Sequence, residues 1–109
     1  MAEKRFPKGQ PRYMTRGISE GLPPVIQMVL WNMVDALRNV EKPDYLQVFE
    51  LETIGDREEG TVVQVITHSQ ERPRYSRVCY IPIMEEGVTG KVYIIDDGGY
   101  ATMLWADEY

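Results

Sequence analysis

One histidine and one cysteine set the limits of covalent chemistry in this chain. His68 lies in the β-branched run TVVQVITHSQ (61–70), and Cys79 lies in RVCYIPI (77–83). If the two runs pair around Arg72-Pro73, His68 stands opposite Arg77 and Cys79 is a diagonal neighbour on the same face. A cysteine beside a histidine is the seed of a nucleophilic pair. No Asp or Asn is placed by any pattern to orient the imidazole, and no glycine elbow precedes Cys79. A cysteine between Val78 and Tyr80 in a strand packs as a small hydrophobe. No catalytic residue is expected, and the chain is read as a non-enzyme.

The acidic groups lead to the same reading. Asp96-Asp97-Gly98-Gly99 lacks the alternating oxygen ligands and distal Glu of a calcium loop, and hairpin chemistry explains it. Glu58-Glu59 and Glu85-Glu86 sit in polar loops where nothing shields them. One Cys and one His make no zinc set. No glycine-rich loop opens a helix in the way phosphate binding needs. No metal and no cofactor are expected.

Two features point to binding instead. Residues 1–17 hold Lys4, Arg5, Lys8, Arg12 and Arg16 against Glu3 alone, a local charge of +4. The remainder holds seven basic against sixteen acidic residues, a charge of −9. A basic arm with Phe6 and Tyr13 can contact an anionic partner such as nucleic acid, or fold back onto its own acidic body. The acidic body argues against broad nonspecific DNA binding. The second feature is Met28 with Trp31, one helical turn apart within VIQMVLWNMVDAL (25–37). Both fall on the polar arc of that helix, an arrangement typical of an interaction hot spot. The alternative is that the arm or the C-terminal WADEY covers them.

The elements that must position these groups follow from periodicity and punctuation. Residues 1–11 carry Pro7, Gly9 and Pro11 among charges and read as a flexible arm. Residues 12–109 then form one domain, a normal size for a single core. Tyr13 to Thr15 can form a short strand. A helix is expected from about Pro24 to Asn39, started by prolines in its first turn and closed before Pro43. Val25, Ile26, Val29, Leu30, Met33, Val34, Ala36, Leu37 and Val40 share its apolar arc. DYLQVFELE, TVVQVITHSQ, RVCYIPI, KVYIID and YATMLWA read as strands, the last two closed by Asp-Gly turn residues. Pro82 puts its strand at an edge or at a bulge. Short connections favour antiparallel neighbours. The expected fold is α+β: an antiparallel β-meander of four to five strands with one main α-helix packed on one face.

A single cysteine points to a reducing compartment. The N-terminus has charge without a following apolar run, so no secretory signal is expected. The helix is too short and too polar for a bilayer. A cytoplasmic location without membrane contact is expected.

The blocks RYMTRGI (12–18), DYLQVFEL (44–51), ITHSQERP (66–73), VCY (78–80), VYIIDD (92–97) and the terminal ATMLWADEY, in this order and spacing, resemble one family. It is domain-of-unknown-function family 960, of small proteins from low-GC Gram-positive bacteria and their mobile elements. The resemblance implies a bacterial, cytoplasmic protein and brings no catalytic residues with it. The reading for function is a protein-interaction domain with an unknown partner or with itself. The other reading is a nucleic-acid-associated accessory factor that uses the basic arm.

Overall fold

A computed structural model describes residues 4–56, 58, 60–84 and 86–109. The order is β1 (Arg12–Met14), α1 (Arg16–Gly21), α2 (Pro24–Arg38), β2 (Leu46–Asp56), β3 (Thr61–Gln70), β4 (Tyr75–Ile83), β5 (Gly90–Asp96) and β6 (Ala101–Trp105). A final 3-10 turn spans Ala106–Glu108. The class is α+β, with one long helix and a six-stranded sheet ordered β1-β6-β5-β2-β3-β4.

The sheet has six strands rather than the expected four to five, and two pairings differ from the expected meander. β5 pairs antiparallel with β2 rather than with β4, and β1 pairs parallel with β6. A parallel neighbour is possible because almost the whole chain separates the two strands. β4 stays at the edge, where Pro82 leaves no missing ladder donor between two partners. The β4–β5 connection therefore crosses the sheet to reach β2. Gln64 holds it there: its Nε2 donates to Val88 O at 2.9 Å and its Oε1 accepts from Val88 N at 2.8 Å. A buried amide thus supplies the paired donor and acceptor that a strand neighbour would have supplied.

Helix α2 begins at Pro24, as its N-terminal prolines predict, and buries Ile26, Leu30, Met33, Val34 and Leu37. Most of these pack with Phe49, Leu51, Ile66, Val92, Ile94 and Met103 of the sheet into one core. Spacing of three and four residues puts them on one stripe. Val25 and Val40, expected on that stripe, are exposed. The short α1 was not foreseen. Thr15 caps it by accepting from Ile18 N at 3.2 Å, and Ile18 is fully buried. Trp105 Nε1 donates to Gly17 O at 2.9 Å. A Cβ on Gly17 would lie 2.6 Å from Glu108 Oε2, so a larger residue there would have to displace the Glu108 carboxylate.

The segment read as a flexible arm over residues 1–11 is seated on the fold from Lys4 onward; residues 1–3 lie outside the described residues. Phe6 is a core residue at 1% exposure. Its N–H donates to Asp96 Oδ2 at 2.7 Å, and its carbonyl accepts from Arg38 Nη1 at 2.7 Å. Gln10 Nε2 donates to Asp96 Oδ1 at 2.9 Å. The backbone at Phe6 is left-handed, with φ 53°, a conformation held only where the surroundings over-determine it.

Candidate functional site

The β3–β4 register places His68 opposite Arg77 and Ile66 opposite Cys79, as the sequence predicts. The chemistry around His68 is structural. Its ring stacks on Phe49 at 4.4 Å between centroids, with Tyr75 edge-on at 5.6 Å. Gln47 Nε2 donates to Asp44 O and to Gln70 Oε1, both at 2.8 Å, so Gln47 Oε1 is the atom that faces His68. His68 Nε2 meets it at 2.6 Å and must carry the hydrogen. Nδ1 then holds a lone pair, and among the described residues it has no partner. Burial, and secondarily the Arg77 charge, lower the imidazole pKa to about 4. Cys79 is partly buried against the core and free.

Asp96 is almost fully buried, and its carboxylate also accepts from Gly98 N at 2.8 Å. The loop from Asp97 to Tyr100 is a four-residue hairpin connection closed by Asp97 N donating to Tyr100 O at 2.9 Å. Asp96 anchors the arm, a role no local pattern suggests. Among the described residues no group of three His, Cys, Asp or Glu is placed to hold a metal. Glu59 and Glu85 lie outside the described residues. Among the described residues no helix is long and apolar enough to cross a membrane.

Trp31 is half-buried, packed against the core, with the Arg12 guanidinium 4.6 Å above its ring. Arg12 Nη2 also pairs with Asp35 Oδ1 at 2.5 Å. So the first residue of β1 covers the face on which Met28 remains exposed at 58%. Trp31 is partly covered by Arg12, which belongs neither to the 1–11 arm nor to the C-terminal WADEY, and Met28 is open. The five expected anion-contacting residues do not form one set. Arg12 is taken by Asp35 and Trp31, and Arg16 Nε pairs with Glu20 at 2.8 Å. Lys4, Arg5 and Lys8 instead line a cleft against the end of α2.

The surface that the sequence reading missed is the second face of the sheet. Helix α2 covers only the face bearing Phe49, Ile66 and Val92. By register, the other face presents Pro82, Val63 and Ile54 in one row and Tyr80, Val65 and the exposed Glu52 in the next. Beyond a polar row lie the partly buried Val48, Tyr93 and Leu104, where the Tyr109 ring packs edge-on against Tyr93 at 5.8 Å. Tyr80 is 63% exposed and Ile54 50%. The signal was available: Val78, Tyr80 and Pro82 alternate with Cys79 and Ile81, so β4 is apolar on both sides. Lys91 Nζ lies 3.6 Å from Glu50 Oε1 in the intervening row.

Residues 11–108 match the family described as Staphylococcal protein of unknown function, DUF960. The chain belongs to this family. The match spans every strand and both helices, as the resemblance of its sequence blocks implies. The fold is also that of a crystal structure of a protein of unknown function from Enterococcus faecalis. That structure has a TM-score of 0.73 and 26% sequence identity, over 100% of this chain and 98% of the other. No curated protein matches the chain.

Proposed function

We propose that this member of the family is a non-enzymatic, cytoplasmic bacterial interaction domain that associates with a second copy of itself through the uncovered face of its sheet. The observation that carries the reading is that face, with Ile54, Val78, Tyr80 and Pro82 exposed to solvent. Six strands about 4.8 Å apart and about 3.3 Å per residue present an area of roughly 24 by 30 Å. That is roughly 700 Å², close to the ~800 Å² that each partner contributes to a standard interface. Antiparallel sheets with one apolar face stack in this way. The rows of branched and aromatic side chains supply the interdigitating layer, and the Glu50–Lys91 row supplies polar register.

Sedimentation equilibrium of the wild type and of a Val78→Lys, Tyr80→Lys double variant tests this. The expected result is a dimer that the double variant reduces to monomer with an intact fold by circular dichroism. A wild type that stays monomeric at every concentration overturns the reading. So does a dimer that survives the double variant and is broken by Met28→Lys, which would place the contact on α2.

The nucleic-acid reading is less favoured, because Arg12 and Arg16 are engaged with Asp35 and Glu20. The remaining arm cations converge on a bounded cleft rather than on a track.

A further inference from the structure

The docked arm and the end of α2 enclose a cleft of about 550 Å³. Lys4, Arg5 and Lys8 line it from the arm, and Arg38 and Lys42 line it from the helix end. Glu41 is the one carboxylate among the lining residues. We propose that this cleft binds a compact polyphosphate, a ligand carrying two or more linked phosphate groups.

Three observations carry the assignment. The first is charge. Five cations line the cleft against one carboxylate; Arg38 of these is paired with Asp35, and Glu41 already accepts from the Lys42 amide at 3.0 Å. Among the described residues no ion pair joins Lys4, Arg5, Lys8 or Lys42 to a carboxylate, and Glu41 is the one acidic side chain lining the cleft beside them. Placing like charges together is unfavourable unless a counter-charge enters.

The second is preorganisation. Arg38 is fixed by its bond to Phe6 O at 2.7 Å and by Asp35 Oδ1 at 3.5 Å from Nη2. The backbone of Lys42 is fixed by Gln70 Nε2, which donates to its carbonyl at 3.0 Å. The arm wall is fixed by the Phe6–Asp96 bond. Pro7 and Pro43 stiffen the two sides. A site whose walls are already ordered loses little conformational entropy on binding.

The third is shape. The volume lies in the range of small-molecule sites, roughly 300–1,000 Å³. Outside the first seventeen residues the chain carries a charge of −9, which repels an extended polyanion while leaving a compact one attracted locally. Arginine and lysine are the side chains suited to phosphate oxygens, the first as a planar fork and the second as a point charge. Arg12 lies beyond this site, on a neighbouring opening that also contains Asp35.

Calorimetry at low ionic strength with inorganic tripolyphosphate tests the proposal. Wild type is expected to bind it saturably with one-to-one stoichiometry, and to lose affinity steeply as salt is added. Lys8→Glu with Lys42→Glu should weaken binding more than tenfold, whereas Arg16→Glu, outside the cleft, should leave it within about twofold. Amide shifts in wild type on adding tripolyphosphate give a readout that needs no variant, and they should cluster at residues 4–8 and 38–43. Adenosine triphosphate in a parallel arm separates a nucleotide from a bare polyphosphate, and saturable, cleft-dependent binding of either supports the site. Absence of saturable binding overturns it. So does equal loss in Arg16→Glu, or tighter binding of a single-stranded oligonucleotide than of tripolyphosphate at matched phosphate concentration.

Discussion

Gln47, His68 and Gln70 form a buried polar ladder, and among the described residues only one of its side-chain nitrogens and oxygens lacks a partner. Gln70 accepts from Asp44 N and donates to Pro73 O and Lys42 O, so it ties the entry to β2 to the β3–β4 turn. The unpaired atom, His68 Nδ1, is where a proton would have to go. The folded imidazole titrates at about 4, whereas an unfolded histidine titrates near 6.5. Between those values the unfolded chain binds a proton that the folded chain does not. Stability therefore falls as pH drops from about 6.5 towards 4, by up to about 3 kcal/mol from this one group. Urea unfolding at pH 7 and pH 5 should show that loss, and His68→Gln should flatten the part of the slope due to histidine. A ring resonance that reports a charged imidazole at pH 5.5 in the folded protein would contradict it. The pairing of His68 with Arg77 was legible because strand alternation and a proline turn set register locally. The Gln47 partner was not, because it comes from a different strand.

The element that departs most from its sequence is the arm. Phe6→Ala should lower stability by about 3 kcal/mol, the usual scale for emptying a buried Phe site. It should also release residues 4–10, giving low backbone order parameters there and a normal value at Phe49. Unchanged melting would show that the Phe6 site contributes nothing to the core. Helix α2 was readable because fifteen residues repeat one apolar period. A lone Phe between charges has no period, and its burial depends on Asp96 and Arg38, which only tertiary structure brings near. Strand β1, three residues long, shows only as the brief alternation near Tyr13, and the six residues of α1 are too few for periodicity to separate them from loop. The capping Thr15 was the one local mark of α1. The meander failed as a topology for a related reason. The alternation in β5 says that it pairs, but its neighbours β2 and β6 come from distant parts of the chain, and Gln64 adds a clasp on the connection at Val88.

At the scale of the whole molecule the shape is elongated, 54 × 29 × 23 Å. The sheet outruns its helix: every residue of β2 from Glu52 to Asp56 is exposed, while Phe49 and Leu51 are buried. Hydrogen exchange should therefore be graded along one hairpin. Amides near Phe49 and His68 should be protected to the global unfolding limit, and those near Ile54 and Val63 should exchange by local opening. Uniform protection along β2 and β3 would show that the far end is covered, as it would be in a dimer joined face to face. The parallel pairing of β1 with β6 carries a consequence for synthesis. Phe6 meets a partner 90 residues later in the chain. At about 5–20 residues per second, a nascent chain carries its first strand without a partner for roughly 5–20 s. The strand made first is thus the last to be seated, and until Asp96 emerges from the ribosome those early lysines and arginines are open to whatever meets them.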